Sequence, residues 1–388
     1  MTIVPAEEYL ADHAGEFETQ VPEEYVEWRD DEGVPVHEGF FVEDLRELET
    51  GPWDRTGERG AIVNFYGAEG LNDVQLQELT PGGKTDRQHH FYEEIVYVAE
   101  GSGLTVIGEG DAQQTFEWSQ GALFYVPRAT PFRHVNTSGD ERALLVASTP
   151  LPLQLFLNKD EQFIFDPGFN YWERVEESNF YSAEGTIYSG EYPGTGYHRE
   201  KPALWDANFV PDVLKFDKLS TDLSSGVNYS NVHFPMPDSS MYCHVGEFPV
   251  GTYKMAHRHA PGAHLMFISG EGYSLMWLED MEDKLRFDWG PGSMIVPPAG
   301  WFHHHFNTSD QAARDLVWHA PELHLFQSPL LKVENPRNTL KHAQEDPEIR
   351  EAFEAELAAK GRESQMPEGA YESEDYTPDD EEKPEYAP

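Results

Sequence analysis

The sequence predicts an all-β protein in which two similar β units follow one another along the chain. The first observation is an internal repeat, since the segment FEWSQGALFYVP at 116–127 returns as FDWGPGSMIVPP at 287–298. The second is that each repeat consists of short runs rich in Val, Ile, Phe and Tyr, separated by Gly, Pro, Asn and Asp, which is typical of a β-sandwich or barrel. The third is that helical periodicity is nearly confined to the C-terminal part of the chain.

The two copies keep a nearly constant spacing. Gly121 and Gly292 lie 171 residues apart, and the segments HVNTS and HFNTS, which end at Ser138 and Ser309, show the same spacing. Upstream, PGGKTDRQHHFYEEIVYVAEGSG corresponds to PVGTYKMAHRHAPGAHLMFISGEG with an offset of 168 to 169. Matches at a fixed period indicate a duplicated structural unit.

The limits of the units follow from the repeat and from the composition around it. We predict an N-terminal arm at 1–58, a first barrel at 59–158, a connection at 159–225, a second barrel at 226–328 and a C-terminal segment at 329–388. The arm and the connection are expected to pack across the barrels and to contribute to a homo-oligomer, because open sheet edges need covering.

The C-terminal segment contains the one clear helix signal. DPEIREAFEAELAAKG offers Asp346 as N-cap, Pro347 at the first helical position and Gly361 just past the end. The chain after it, from residue 363, is acidic, contains proline and has few aliphatic residues, which predicts a disordered tail.

The composition restricts the class of protein. There are 27 basic and 71 acidic residues, a formal net charge of −44, and this surface resembles that of halophilic archaeal proteins, in which salt screens the repulsion. Nucleic acid and anionic membranes are not expected partners, because binding to them needs a basic patch. One cysteine, Cys243, fits a reducing compartment, and no signal peptide or long apolar run is evident, so a cytoplasmic location is expected.

The second repeat carries a candidate metal site. His257 and His259 are separated by one residue, and alternate side chains of a strand point to the same face, so both imidazoles can bind one ion. His303 lies on another predicted strand, beside a Pro-Gly turn. Three converging imidazoles leave coordination positions open, which distinguishes a reactive site from a closed structural one.

These residues resemble the two motifs of the cupin superfamily, and the duplication resembles its bicupins. The first motif is matched by Gly251, His257 and His259, and the second by Gly292, Pro298, Gly300, His303 and Asn307. The resemblance implies two jelly-roll barrels and one divalent ion held by His257, His259 and His303, with Fe(II) expected first and Mn, Ni or Zn as alternatives.

The family's glutamate ligand is missing, since its place is taken by Ala263. Three-His cupins include gentisate-type and diketone-cleaving dioxygenases, and AHRHAPGAH resembles the gentisate dioxygenase motif. The resemblance therefore implies an Fe(II) dioxygenase that cleaves a small aromatic or dicarbonyl anion. Those enzymes carry a substrate-binding arginine at the place of Leu265, so gentisate itself is not the expected substrate. The alternatives are a non-catalytic metal-ordered binder of small molecules and a metal-dependent isomerase or decarboxylase.

Three further histidines need a role. His305 shares the inward face with His303, and by resemblance it is the predicted catalytic residue, an acid or base with an ordinary pKa of about 6.5. His304 should face outward, and its replacement is expected to change little. His264 is left open between a fourth ligand and a role beside the ligands or in packing.

In the first repeat the ligand places are occupied by Gln88, His90, Glu94 and Phe132, with His134 at the place of His305. Because phenylalanine cannot bind a metal and glutamine is a weak ligand, the first barrel is expected to be mainly structural. A weak polar site around His90 and Glu94 is the alternative.

Overall fold

Two β-barrels, each made of two facing sheets, form the core of the protein. The structure is a computed structural model, and it describes residues 2–13, 17, 21–170, 180–191, 198–221, 226–236, 239–321 and 336–376. Nearly all strand pairs are antiparallel, and the three parallel pairs involve strands of the N-terminal arm or of the connection. The prediction of two all-β barrels in tandem is confirmed.

The arm contains β1 Thr2–Pro5, α1 Ala6–Asp12, α2 Glu23–Glu32, β2 Val36–Gly39, β3 Phe41–Val42 and β4 Gly51–Trp53. The first barrel contains β5 Glu58–Phe65, β6 Asp73–Leu79, β7 Glu94–Glu100, β8 Ser102–Ile107, β9 Gln114–Ser119, β10 Leu123–Val126, β11 Phe132–Asn136 and β12 Ala143–Thr149. The connection contains α3 Leu151–Asn158, α4 Glu161–Phe165, β13 Thr186–Glu191, β14 His198–Asp206, β15 Phe209–Val210 and β16 Ser220–Thr221.

The second barrel contains β17 Ser230–Phe234, β18 Tyr242–Phe248, β19 Ala256–His257, β20 Ala263–Ser269, β21 Gly272–Trp277, β22 Asp283–Trp289, β23 Met294–Ile295, β24 Phe302–Asn307 and β25 Ala313–His319. The C-terminal segment contains β26 Thr339–Leu340, α5 Pro347–Ala359 and α6 Glu368–Glu372. None of the described helices is long and apolar enough to cross a membrane.

The strand order positions the candidate site. One sheet of the second barrel runs β1-β22-β21-β24-β19-β26, and the other includes β17-β18-β25-β20-β23-β3. The first barrel repeats this plan with the sheet β10-β7-β12-β6-β5 and the sheet β11-β8-β9. β24, the strand that contains His303 and Asn307 of the second motif, pairs with β21, and its counterpart β11 in the first barrel pairs with β8.

The larger sheets of the two barrels pack against each other across a continuous apolar core. The first barrel contributes Val63, Val74, Leu76, Ile95 and Val146 among others, and the second contributes Val232, Val245, Met266, Leu316 and Trp318 among others. Because strand side chains alternate, the residues between these positions face the interior of each barrel. The shared core therefore determines which residues can line a site inside the second barrel.

The N-terminal arm contacts both barrels. β2 pairs in parallel with β5 of the first barrel, whereas β1 and β3 pair with β22 and β23 of the second. These pairs cover strand edges that would otherwise be open to another chain.

The repeated NTS segment forms the same turn in both barrels. Asn136 Oδ1 accepts from the Ser138 backbone N–H at 2.9 Å, and Asn307 Oδ1 accepts from the Ser309 backbone N–H at 2.9 Å. Each asparagine amide also donates to the carbonyl of the residue four or five positions on. The repetition therefore reflects a turn held by an asparagine side chain.

The C-terminal helix is confirmed, and it packs on the second barrel. Asp346 caps α5 by accepting from the Glu348 backbone N–H, and Gly361 has a φ of 70° just after the helix. The next residues also lie on the barrel, since Met366 and Ala370 are buried in the same apolar cluster, so this part of the acidic tail is structured. Residues 377–388 of the predicted disordered tail lie outside the described residues.

We expect Phe353→Ala to lower the free energy of unfolding by about 3 to 5 kcal/mol, because the Phe353 ring is fully buried between α5 and the outer face of β24. Urea-induced unfolding followed by fluorescence measures the change. Glu351→Ala, on the exposed face of the same helix, is the matched control and should leave the midpoint unchanged. Equal midpoints for both variants would show that α5 does not unfold together with the barrel.

Candidate metal centre

The strand register of the second barrel brings three histidines together. His257, at the end of β19, is the direct cross-strand partner of His303 on β24, and His259 follows two residues later. The ring of His303 lies 4.3 Å from that of His257 and 4.8 Å from that of His259, centroid to centroid. One nitrogen of each ring lies within 4.8 Å of the other two.

The orientation of the three rings determines which nitrogen can bind a cation. In each ring Nδ1 donates to a backbone carbonyl: His257 to Met255 at 3.1 Å, His259 to Ala260 at 2.6 Å and His303 to Trp301 at 3.2 Å. A carbonyl oxygen can only accept, so Nδ1 carries the proton and Nε2 carries the lone pair. Metal-binding histidines in proteins are held in the same way.

Burial keeps His257 and His303 neutral. Desolvation, with the neighbouring histidines and Lys254 as smaller causes, lowers the pKa of His257 to about 3. Desolvation also lowers the pKa of His303 well below its usual range. Neutral imidazoles with a fixed tautomer are the form that binds divalent transition metals, so the residues present fit such an ion.

The place of the missing carboxylate is apolar. Ala263 faces the barrel interior and is 4% exposed. The neighbouring His264 faces the first barrel, where its Nδ1 accepts from the Asn72 side-chain amide at 2.9 Å and its ring lies 5.5 Å from Phe65. The sequence left open whether His264 is a fourth ligand or lies beside the ligands or in packing. In the structure His264 belongs to the contact between barrels and is not a fourth ligand.

His305 lies inside the barrel, as predicted, but its electrostatics differ from the prediction. Its Nδ1 pairs with the Ser274 hydroxyl at 2.7 Å, and its buried Nε2 has no hydrogen-bond partner among the described residues. Desolvation, followed by the positive charge of Lys254, lowers the pKa of His305 well below 6.5. The expectation of an ordinary pKa is therefore wrong, and a neutral His305 is better suited to hydrogen bonding than to proton abstraction.

His304 faces outward, as predicted, and it has a buried partner that the sequence did not indicate. The side chain is fully buried beneath the C-terminal segment, and its Nε2 lies 3.1 Å from Glu345 Oε1. Glu345 also accepts from His342 Nδ1 at 3.0 Å and from the Tyr253 hydroxyl at 3.0 Å. Although desolvation opposes ionisation, the two histidines lower the pKa of Glu345 to about 2.

Sequence reasoning missed a buried ion pair inside the second barrel. Lys254 Nζ lies 3.2 Å from Asp315 Oδ2, both side chains are almost completely buried, and the Lys254 backbone N–H donates to the His305 carbonyl. At the offset of 169 residues the first repeat has Thr85 in place of Lys254. This difference between repeats was the signal that could have identified Lys254, and Asp315 shows the same kind of signal, because the first repeat has a leucine at its place.

The first barrel does not assemble a comparable site. The Gln88 amide turns away and donates to the backbone carbonyls of Arg55 and Asp86, and Phe132 fills the place of the third histidine. His90 Nε2 and Glu94 Oε1 lie 3.1 Å apart. Among the described residues, the only group of three possible metal ligands at close range is that of the second barrel.

We expect His303→Ala and His304→Ala to have opposite effects, because adjacent residues of β24 face opposite sides of the sheet. The first should abolish metal binding with little loss of stability. The second should bind metal but unfold more easily by about 1 to 3 kcal/mol, since Glu345 loses a buried partner. Metal titration by calorimetry and urea unfolding measure the two effects. Loss of metal from both variants to the same extent would contradict the assignment of the faces.

The buried His264 should make the metal-free protein less stable in acid. Burial lowers its pKa to about 3, so below pH 6.5 the unfolded chain takes up a proton that the folded chain does not. The free energy of unfolding should therefore fall by about 1.4 kcal/mol per pH unit from this side chain as the pH drops from 6.5 toward 3.

Urea unfolding at several pH values between 6.5 and 4.5 tests this effect. His264→Gln should show a shallower decline, whereas His37→Gln, in β2 of the N-terminal arm, should follow the original protein. An unchanged slope for His264→Gln would show that His264 is not buried as a neutral group.

The first barrel matches a known protein family. Residues 75–148, in the first barrel, match the cupin domain family (Cupin_2). No curated protein sequence matches the chain. A solved structure of Bacillus subtilis oxalate decarboxylase, from work on its Mn(II) centres, is 13% identical with a TM-score of 0.44 over 72% of this chain and 77% of the other.

A single-residue mutant of that enzyme is 14% identical with a TM-score of 0.44, and a four-residue mutant is 13% identical with a TM-score of 0.45, both over 72% of this chain and 77% of the other. Structural similarity at this level shows neither which metal nor which substrate this chain binds. The first barrel matches the cupin domain family, and the second barrel repeats its strand plan, so the architecture is that of two cupin-like barrels in tandem.

Proposed function

We propose that the protein is a metal-dependent enzyme that holds one divalent ion through His257, His259 and His303 and acts on a small anionic substrate. The observation that carries this proposal is the orientation of the three rings. Every Nδ1 donates to a backbone carbonyl, which leaves the Nε2 lone pairs for a cation, and one nitrogen of each ring lies within 4.8 Å of the other two. Metal-binding histidines commonly have one ring nitrogen bonded to a carbonyl and the other directed at the ion, whereas histidines with a purely structural role do not require this orientation.

The charges inside the barrel favour an anionic substrate. The three ligands are neutral, so a bound divalent ion would keep its full charge. The buried Asp315 carboxylate in the same barrel is already paired with Lys254. His305 Nε2 is buried without a partner in the described part of the chain, and it can contact an oxygen atom of a ligand. A negatively charged ligand is therefore stabilised by groups on both sides of the site.

Of the candidate reactions, carbon–carbon cleavage by decarboxylation needs the fewest groups from this site. The bond between the carboxylate carbon and its neighbour breaks, the electron pair stays on the remaining fragment, a proton is added there and carbon dioxide leaves. A divalent ion held by the three histidines would act as a Lewis acid that withdraws charge from the substrate oxygens. Such a reaction does not require a redox-active metal, and three imidazoles do not select one.

The residues of the chain would position the substrate and hold its charge. His305 donates or accepts at a substrate oxygen through Nε2, with its ring fixed by Ser274. Lys254, whose backbone N–H is bonded to His305, adds a positive charge to the floor of the barrel and is held in place by Asp315. The rings of Phe248 and Phe267, 6.5 and 5.8 Å from His305, exclude water from this floor.

An Fe(II)-dependent dioxygenase is the second candidate. The three-His ligand set without carboxylate and the segment AHRHAPGAH favour it by resemblance to gentisate-type enzymes. The two candidates share the site and the anionic substrate but differ in their need for dioxygen. A metal-ordered binder without catalysis is the outcome if neither reaction occurs.

Metal analysis of anaerobically purified protein should find one divalent ion per chain. Protein loaded with Mn(II) or Fe(II) is then incubated with a panel of 2-oxo acids, dicarboxylic acids, hydroxylated aromatic acids and diketones, with and without dioxygen. Release of carbon dioxide without consumption of dioxygen supports the first candidate, and stoichiometric consumption of dioxygen supports the second. A metal-loaded protein that is inert throughout would overturn an enzymatic function.

We expect His305→Ala to lower turnover by roughly 10²-fold while leaving metal binding intact, because a positioned hydrogen-bonding group at the reacting oxygen is lost. Steady-state kinetics with the substrate found in the panel and metal titration of the same preparation measure both quantities. Glu351→Ala, on the exposed face of α5, is the control. Normal turnover of His305→Ala would remove this residue from the site's chemistry.

A further inference from the structure

The C-terminal segment adds a strand beside the metal ligands. β26 pairs with β19, and Thr339 is the direct cross-strand partner of His257. On its other side β19 pairs with β24, where the partner of His257 is His303. β19 is only two residues long, and it lies between the strand of another ligand and a strand from the C-terminal segment.

The rings of His257 and His259 follow the backbone of their own segment. Nδ1 of His257 donates to the Met255 carbonyl, and Nδ1 of His259 donates to the Ala260 carbonyl. Because both bonds lie within this short segment, a displacement of its backbone moves the two ligand nitrogens with it. The position of this backbone relative to β24 therefore determines whether the three ligand nitrogens meet at one point.

Arg258, between the two ligands, joins this backbone to the C-terminal segment. Its backbone N–H donates to the Asn338 carbonyl at 2.9 Å, and its Nε donates to Asn338 Oδ1 at 3.0 Å. Its Nη1 donates to Glu279 Oε2 at 2.8 Å, and its Nη2 donates to the Arg337 carbonyl at 3.3 Å. The guanidinium also lies over the Phe302 ring of β24, 4.5 Å from the centroid. One side chain thus contacts the C-terminal segment and the strand of the third ligand.

The described part of the first barrel has no such arrangement, and the first barrel also lacks the three ligands. Its smaller sheet ends at β11, beside which Lys84 and Gln88 form isolated bridges, and no described strand follows them. At the offset of 169 residues His89 stands at the place of Arg258. The buried Nε2 of His89 has no hydrogen-bond partner among the described residues. The added strand and the arginine therefore accompany the barrel that has the ligands.

We propose that Arg258 is a positioning residue of the metal centre and that it couples metal binding to the docking of β26. By holding Asn338 and Phe302 at the same time, Arg258 fixes β19 between two strands and sets the distance of the two flanking ligands from the third. The inference rests on the proposed function, because it needs an ion at the three histidines. Coupling between two binding events is reciprocal, so the ion should in turn hold β26 more firmly.

Calorimetric titration of the full-length, metal-free protein with Zn(II), an ion without redox chemistry, tests the positioning role. Arg258→Met keeps an aliphatic side chain but removes every donor of the guanidinium. It should weaken Zn(II) binding by about 10-fold to 100-fold, the range for residues that orient metal ligands. Arg258→Lys is the milder variant, which keeps the charge near Glu279 but loses the planar fork, and its affinity should lie between the two.

Arg286→Met is the matched control. Arg286 also lies over an aromatic ring, that of Tyr273 at 4.1 Å, and also binds the C-terminal segment, through Glu356 at 2.7 Å. It is on β22, however, which β21 separates from β24. Its replacement should lower the midpoint of urea unfolding and leave the affinity for Zn(II) unchanged. Equal losses of Zn(II) affinity in Arg286→Met and Arg258→Met would overturn the inference, because they would show a general loss of stability.

Hydrogen exchange followed by mass spectrometry tests the reciprocal effect. Zn(II) should slow the exchange of residues 336–344 in the original protein and in Arg286→Met, and much less in Arg258→Met. An original protein that does not bind Zn(II) would overturn the proposed function and this inference with it. Zn(II) binding of equal affinity in the original protein and both Arg258 variants, or unchanged exchange of residues 336–344 on binding, would overturn the inference alone.

Discussion

The alternation of side chains along β24 is the constraint on which the second barrel depends. His303 and His305 face the interior, and His304 between them faces the C-terminal segment. A shift of the strand by one residue would exchange the two faces, because the side-chain period of a strand is two. The inner face would lose its ligand, and the outer face would lose the buried contact of His304 with Glu345. The metal site and the docking of the C-terminal segment therefore fix the same register from opposite sides.

Charge is distributed very differently inside and outside the molecule. The chain carries a formal charge of −44, which opposes the approach of any anion at low ionic strength. Inside the second barrel the described groups include the histidines His257, His303 and His305, whose pKa values are lowered by burial, a lysine paired with an aspartate, and many apolar side chains. Salt screens exposed charges within about 3 Å at 1 M but affects buried groups much less. High salt would thus remove the external barrier while leaving recognition within the barrel intact.

The two barrels show how one strand plan supports two kinds of interior. Each keeps a buried histidine bonded to a hydroxyl on the neighbouring strand, His134 with Thr105 and His305 with Ser274, at 2.8 and 2.7 Å. Because this pair is present in a barrel without three ligands, it does not depend on a metal site. In the second barrel the same histidine also lies beside the ligands, so a structural pair can take part in binding.

The sequence alone was sufficient to predict the tandem barrels, the three converging histidines and the capped helix α5. Each prediction rests on a pattern within a short segment: a segment that recurs, a two-residue spacing, or capping residues. Four features could not be predicted from the sequence. They are the pKa of His305, the burial of His304, the interface position of His264 and the pairing of Lys254 with Asp315. Each depends on which distant segment covers a given face and how much water it removes. Spacing along a strand reports the direction of a side chain, whereas its solvation and its partners depend on the packing of the rest of the chain.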